Sequence, residues 1–402
     1  MTYKAVVIGQ GFTGRLSIAR SLAEAGCEVT LIALNFRNKI TGELPGHKPV
    51  DGFSKYVRRV LHCESYNSPM LIELLLKECV DPAQKTFIFP DNDFSAAAID
   101  DNYDLLKEHF YLPNVQDRQG GVRFWMDKIR QKKLAVELGL PVADYSLIEI
   151  RDCEFSIPDS VKYPCFAKAL VSVVGSKMSL KKCDSREELE SHLKWLTGWK
   201  EAWHNIDVLV EDYKPIEVEY AALGFADGKG DVVIPGVIEM IRMAHGTHFG
   251  VALQGKVYPV REQELIDGFA EMVRRIGYAG VFDVDFYLSG GVAYFCELNL
   301  RFGGSGYAYT RMGVNLPVMM LRSFTGQDIA EMPRALSGES TFYNERMGFD
   351  EWIQGFLSRK EVRRIRKESA IKFVADKRDP GPQRALDVVY AKRIVKRMLG
   401  KE

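Results

Sequence analysis

The residues best placed to do chemistry lie in one stretch, Gly280-Val-Phe-Asp283-Val-Asp285-Phe-Tyr-Leu288, a turn Ser289-Gly290-Gly291, and Val292-Ala-Tyr-Phe-Cys-Glu297-Leu-Asn299-Leu-Arg301. Two apolar runs around a glycine turn specify a β-hairpin. A register in which Leu288 faces Val292 puts Phe282, Val284, Phe286 and Leu288 on one side with Tyr294, Cys296, Leu298 and Leu300. The other side then carries Asp283, Asp285, Glu297, Asn299 and Arg301. Like charges opposed across two strands repel by on the order of 3 kcal/mol at ~5 Å and an effective dielectric of ~20. A cation is therefore expected among them. Carboxylate and amide oxygens suit a hard divalent ion such as Mg²⁺, which takes its remaining ligands from water and phosphate.

A second candidate lies at the N-terminus, where Gly9-Gln-Gly11-Phe-Thr-Gly14 follows a strand and opens a helix, the context of a dinucleotide turn. Such a site also wants a carboxylate about 20 positions on, for the ribose. The second strand instead ends in Leu34, Asn35 and Phe36. The turn is therefore read as one that lets helix and strand pack closely, and an oxidoreductase is disfavoured.

These residues need elements to hold them. Strands over Lys4 to Ile8, Val29 to Leu34, Tyr56 to His62 and Thr86 to Pro90 alternate with helices over Leu16 to Ala25 and Ser68 to Cys79, which predicts a parallel α/β layer. A helix over Phe124 to Leu140, stopped by Gly139 and Pro141, opens a second region. Strands Cys165 to Leu170 and Ser176 to Lys182 follow, then a helix with a Ser185/Glu188 capping box and further strands from Asp207. Strand after strand implies an antiparallel sheet, so the fold class is α/β and α+β. A helix over Glu262 to Ile276 precedes the hairpin and another runs from Ala308 to Thr325. The expected domains are 1–115, 116–330 with a subdomain over about 142–220, and a basic helical region 331–402.

With 402 residues, two or three cores are expected. Lys plus Arg and Asp plus Glu are 54 each, so nothing in the bulk charge argues for nucleic acid. Seven scattered cysteines without a C-x-x-C pair, no apolar run near the ~18 residues of a membrane span and no basic leader before the first strand predict a cytoplasmic protein. Local charge is uneven at the C-terminus. Arg359, Lys360, Arg363, Arg364, Arg366 and Lys367 crowd one segment, and Lys392, Arg393, Lys396 and Arg397 flank Ile394, Val395, Met398 and Leu399. A basic amphipathic helix of this kind suits an anionic membrane surface or an anionic substrate.

Glu297-x-Asn299-x-Arg301, with an aspartate on the partner strand and a glycine-serine loop after it, resembles the metal-binding signature of the ATP-grasp superfamily. The resemblance covers about Phe124 to Leu321. It implies an ATP-grasp fold with an N-terminal, Rossmann-like pre-ATP-grasp domain, and ATP with Mg²⁺, two ions, as cofactors. Asp285, Glu297 and Asn299 become the metal ligands and Arg301 the group that steadies an acyl phosphate. Set beside D-alanine–D-alanine ligases, Asp283 falls where those enzymes carry a substrate-binding arginine, a departure that bears on the acceptor site.

Other motifs extend the likeness. Met126-Asp-Lys128 is similar to the family's entry helix, which puts Lys128 on nucleotide phosphate. Lys168, in Tyr163-Pro-Cys-Phe-Ala-Lys168, is similar to the family's second phosphate lysine, and an ammonium flanked by Phe166 and Leu170 needs an anion if buried. Val174-Gly175-Ser176-Lys177 stands where the family has its glycine-rich lid, here glycine-poor, with Ser176 as the contact. Val208-Leu-Val-Glu211-Asp-Tyr213 resembles the hinge that meets adenine, through Glu211 and the residues to Tyr213. Glu217 and Glu219 straddle the family's ribose position, and Glu219 is preferred. Arg242, His245 and His248 lie near family substrate contacts, and of these Arg242 is taken as a catalytic candidate.

The resemblance implies an ADP-forming ligase that activates a carboxylate as an acyl phosphate and transfers it to an amine, with amino acids or small peptide-like molecules as substrates and a homodimer admitted. The alternatives are a bicarbonate-activating enzyme of the carbamoyl phosphate synthetase kind and an ATP-binding protein without turnover. Arg301-Phe-Gly-Gly-Ser-Gly306 in place of the run that follows the arginine in biotin carboxylases disfavours carboxylation.

Overall fold

The computed structural model describes residues 2–38, 41, 43–170, 180–199, 203–245 and 252–399. They fall into two compact units, one made of Met1–Val122, Tyr220–Asp283 and Asn299–Glu402, the other of Arg123–Glu219 and Val284–Leu298.

The first unit opens with the predicted parallel layer. Strands β1 (Lys4–Gly9), β2 (Glu28–Asn35), β3 (Val57–Glu64), β4 (Thr86–Pro90) and β5 (Phe110–Tyr111) lie in the order β3-β2-β1-β4-β5, all parallel. Apolar runs such as Ala5-Val-Val-Ile8 are buried on both faces, as parallel strands usually are. Helix α1 (Phe12–Ala23) is not the one-sided amphipathic helix expected of a surface layer. Thr13 and Arg15 to Leu22 are all buried, because the chain covers it twice. Its Arg20 donates to Asp379 Oδ2 at 3.0 Å and to the carbonyls of Phe373 and Val374 at 2.9 Å each. Ser54 and the Lys55 N–H close on the same Asp379 carboxylate.

Arg15 has its own buried partner, donating from Nε and Nη2 to the two Asp51 oxygens at 2.7 and 3.1 Å. Removing one member of a buried pair strands the other charge. Asp51→Ala is therefore expected to cost about 3 kcal/mol, read as a lower urea midpoint, and an unchanged midpoint would show that the pair holds nothing.

The same unit contains a mixed sheet through Val218–Asp227, Val237–Arg242, Gln254–Tyr258, Ser340–Tyr343 and Ile371–Lys372, joined on one side by the first half of Tyr278–Ser289. The predicted helix over 308–325 is two, Tyr307–Arg311 and Leu316–Phe324. Gly313 breaks the run at φ 94° and Asn315 caps the second piece by accepting from the Val318 N–H. Near the end, Arg359–Glu368 buries only Ile365 and leaves its cations outward. The final helix, Gly381–Met398, buries Pro382 and Leu386 and exposes Val388, Val395 and Met398.

The second unit carries a four-stranded antiparallel sheet in the order Tyr145–Ile150, Ile206–Asp212, Cys165–Ala169, Lys181–Cys183. Helix Arg186–Trp199 packs Leu189, Leu193 and Leu196 on it. The capping box is shifted on one side: Ser185 Oγ accepts from Glu188 N–H, but the Glu188 carboxylate accepts from Asp184 N–H. The predicted helix over 124–140 is also two, Gly121–Trp125 and Lys128–Glu137, because Asp127 turns its carboxylate onto the N–H groups of Ile129 and Arg130 and starts a new helix.

Among the described residues no helix is long and apolar enough to cross a membrane, and all seven cysteines are free.

Candidate active site

The hairpin is where the sequence put it, but its register is not. Strands Tyr278–Ser289 and Val292–Asn299 are joined by Gly290 and Gly291 alone, at φ 56° and 75°, the two-residue turn that needs positive φ twice. Tyr287 consequently stacks across the pair on Tyr294, with ring centroids 5.5 Å apart. The register with Leu288 facing Val292 is one residue off, and a clean division into an apolar and an acidic side does not hold. Every residue from Tyr278 to Tyr287 is buried, so this strand is covered on both faces and its polar members had no solvated side to occupy.

In the second unit a helix brings cations to the hairpin. Gln131 grips the backbone of Leu298 twice, donating to its carbonyl at 2.8 Å and accepting from its N–H at 2.9 Å. That clamp, one helical turn from Lys128, sets Lys128 Nζ 3.2 Å from the Glu297 carboxylate. Lys132, four residues on, points the same way and reaches Glu211 at 2.5 Å. Lys168 meets Glu211 at 2.9 Å because Leu209, opposite Lys168 in the antiparallel register, shares a face with Glu211 two residues along. Lys168 also lies 3.8 Å from Cys296 Sγ.

The charges in this cluster support each other. Burial works against the Lys168 ammonium, but the negative charges of Cys296, once ionised, and of Glu211 and Glu297 outweigh it and its pKa is raised. Burial pushes Glu211 upward, yet Lys168 and Lys132 hold it below the ordinary carboxylate range. The Cys296 thiol, pushed up to about 12 by burial, stays protonated at neutral pH. Three ammonium groups thus surround two carboxylates, an arrangement that favours a further anion.

Asp285 is buried, and Glu297 keeps part of its side chain open. Among the described residues no three His, Cys, Asp or Glu side chains form a metal cage. Carboxylate and amide oxygens of the kind that Asp285, Glu297 and Asn299 carry suit Mg²⁺, which leaves most of its sites to water and phosphate. Glu297, already beside one ammonium, is in surroundings that accept positive charge.

Glu217 is committed elsewhere. Its carboxylate accepts from the Gly290 N–H at 2.7 Å and closes the hairpin turn, while Glu219 is buried. The Asp212 and Tyr213 N–H groups donate to the carbonyls of Asp144 and Pro164. Ser176, its loop 174–177 and His248 lie outside the described residues.

In the first unit Arg301 donates to Asp93 Oδ1 at 3.1 Å and to Asn299 Oδ1 at 3.2 Å, with Asp283 at 3.8 Å. Gly303 admits that Asp283 carboxylate, for a Cβ there would stand 2.3 Å from it. Arg242 ends its strand opposite Gln254, and the Glu361 carboxylate, held below its ordinary range chiefly by hydrogen bonds from Ser358, feels the Arg242 charge as well. The His245 ring stacks on Phe356 at 3.8 Å, and the His245 backbone N–H donates to the Glu351 carboxylate. These two residues therefore border the C-terminal helices.

At the glycine turn, the Asp91 carboxylate fills the space beside Gly9 and Gly14, where a Cβ would come within 1.5 and 2.7 Å of its oxygens. A carboxylate there would repel a pyrophosphate, in keeping with the reading of this turn as no dinucleotide site. Sequence reasoning missed Gln131, Lys132, Asp91 and Asp93. The helical spacing from Lys128 signals the first two, and the last two sit at the end of a strand whose place in the sheet no local pattern reveals.

The family model for the ATP-grasp domain matches residues 133–317. Among curated proteins none matches the sequence. Solved structures do. The biotin carboxylase domain dimer of 2-oxoglutarate carboxylase from Hydrogenobacter thermophilus, in complex with MgADP, ADP and bicarbonate, is 17% identical with a TM-score of 0.64, covering 85% of this chain and 74% of that one. N5-carboxyaminoimidazole synthetase from Staphylococcus aureus, complexed with ADP, is 15% identical with a TM-score of 0.59, over 85% and 82%. L-amino acid ligase from Bacillus licheniformis is 15% identical with a TM-score of 0.58, over 85% and 79%. Likeness at such identity is likeness of fold. Residues 133–317 thus match the ATP-grasp domain, and the chain shares the fold of these solved structures.

Proposed function

We propose that this protein is an ADP-forming carboxylate–amine ligase that uses Mg²⁺-ATP. The observation that carries the reading is the cluster of Lys128, Lys132 and Lys168 around Glu211 and Glu297, whose excess of ammonium groups suits the phosphates of a nucleotide. Lys128 and Lys168 hold those phosphates, Tyr213 and its neighbours take the base, and Glu219 takes the ribose, since Glu217 is spent on the hairpin turn. Ser176 belongs to the lid.

Asp285, Glu297 and Asn299 would hold the metal, two ions in this reading, which when bound neutralises phosphate charge at the transferring group. A substrate carboxylate oxygen attacks the γ-phosphorus, the bond to ADP breaks, and Arg301 steadies the acyl phosphate. An amine then displaces the phosphate. Positioning and electrostatics do this work, so no serine, cysteine or histidine nucleophile is required. The region 1–115 serves as the pre-ATP-grasp domain and 116–330 as the ATP-grasp domain, while 331–402 carries the basic helices and, in place of a purely helical extension, two strands of the mixed sheet, Ser340–Tyr343 and Ile371–Lys372. Seven free thiols suit a reducing cytoplasm.

The test is ADP release from Mg²⁺-ATP with the proteinogenic L-amino acids and small carboxylates, singly and in pairs, and with bicarbonate. Release that needs both a carboxylate and an amine is expected. Release on bicarbonate alone would favour the carboxylating alternative, and ATP binding without release under any condition would leave a binding protein.

A further inference from the structure

The last two helices of the first unit bear none of the residues assigned to the reaction, and their charges are arranged at a cost to themselves. In Arg359–Glu368, Arg359, Arg363 and Lys367 follow one another at four-residue steps, and Lys360 precedes Arg364 by the same step. Like charges at that spacing lie side by side and destabilise the helix that carries them. Arg359 and Lys360 also stand in the first turn, at the positive end of the helix dipole. The carboxylates of these helices are occupied. Glu361 closes the capping box with Ser358, Glu368 lies 3.9 Å from Arg364, and Asp387 accepts from Gln383 at 2.7 Å. Lys360, Arg363 and Lys367 are exposed and have no ion pair among the described residues.

The final helix, Gly381–Met398, is apolar on two sides. Its inner side buries Pro382 and Leu386 and stacks Tyr390 on Phe349 at 3.5 Å. On the outer side Val395 stands seven residues after Val388, with Met398 and Leu399 three and four beyond it, a spacing that makes one face of a helix. All four are more than half exposed. Lys392 and Lys396, at four-residue steps from Val388, border that stripe, again exposed and without an ion pair among the described residues. One row of rings ties the two helices together. The Arg359 guanidinium lies over Trp352 at 5.5 Å, Trp352 meets Phe349 edge-on at 5.5 Å, and Phe349 carries Tyr390 on its face and Arg393 at 5.4 Å.

We propose that these two helices form a docking surface for a bilayer that carries anionic lipid. The cations draw the surface to negative headgroups, and the outer stripe of the final helix enters the headgroup boundary, as in helices that lie in a membrane interface without crossing it. Charge and apolarity together select this occupant. A second copy of the chain would bring the same cations against these. A nucleic acid would pair with the cations but leave the apolar stripe in water. The surface stands apart from the ligase reading, since none of its residues is assigned to nucleotide, metal or substrate.

The test is co-sedimentation with vesicles of phosphatidylcholine alone and of phosphatidylcholine mixed with phosphatidylglycerol. The parent is expected to bind the mixed vesicles at least about 10-fold more strongly than the neutral ones, and to be released as salt is raised. Arg363→Glu with Lys367→Glu should lower binding to the mixed vesicles by about 10-fold or more. Val395→Asp with Met398→Asp should lower it as far while every cation is kept. These side chains are exposed, so the melting temperature should hold. If the second pair lowers it, Met398→Asp alone is read in its place.

Equal recovery with both kinds of vesicle, whether high or nil, overturns the proposal, as does full binding by either variant. A lipid-free dimer that Val395→Asp with Met398→Asp dissolves would assign the stripe to a second copy instead. Binding of a labelled single-stranded oligonucleotide in place of the vesicles would assign the cations to nucleic acid, and either result removes the bilayer.

Discussion

Glu297→Gln should lower Mg²⁺-dependent turnover by about 10²- to 10³-fold, while the protein keeps its fold. The substitution preserves size and hydrogen bonding and deletes one charge from the set proposed to hold the metal. Metal should then no longer raise the melting temperature in the presence of ATP, since a ligand stabilises only what it binds. From the sequence, relief of repulsion among crowded carboxylates would leave the metal-free variant as stable as the parent or slightly more so. The geometry reverses that sign. Glu297 lies 3.2 Å from Lys128, whose side chain is only 7% exposed, so glutamine strands an ammonium and should cost about 1 kcal/mol of metal-free stability. Near-parental Mg²⁺-dependent turnover in this variant would sink the metal assignment.

Lys168→Met should weaken ATP binding about 10- to 100-fold, the worth of about 1.5–3 kcal/mol for a hydrogen bond to a charged group. The thioether fills the volume but leaves Glu211 with Lys132 alone. Because that second ammonium remains 2.5 Å away, the expected loss of stability is about 1–3 kcal/mol, short of what stranding Glu211 outright would cost. Calorimetric titration of ATP and a melting curve separate the two effects. Unchanged ATP affinity would show that Lys168 serves Glu211 rather than a nucleotide.

What could be seen in the sequence was whatever is written locally. The βαβ opening was legible because apolar runs of strand length alternate with helix-length segments, and each of the four predicted strands of the layer falls within two residues of its limits, whereas the two-residue edge strand Phe110–Tyr111 was not foreseen. The hairpin was legible as a hairpin. Its register was not, since a glycine pair can close two residues or three, and one residue of slip moves every side chain to the other face. Asp127 and Asn315 are polar residues inside helical patterns, and both end up as caps that start new helices.

The site's second layer was hidden for a different reason. Lys168 and Glu211 were each visible as motif residues, but that they neutralise one another follows only from the pairing of their strands. Likewise Glu217 and Glu219 are equivalent in the sequence, and a single bond to the Gly290 N–H tells them apart.

The Arg20 clasp bears on how the chain is made. Arg20 is buried inside the first helix, yet its counter-charge, Asp379, and two of its carbonyl acceptors lie some 350 residues downstream. During synthesis the opening α/β layer holds a guanidinium in its interior that nothing yet balances until residues 373–379 have emerged. Until then only water can solvate the Arg20 guanidinium, so this early helix completes its native contacts well after its own residues are made.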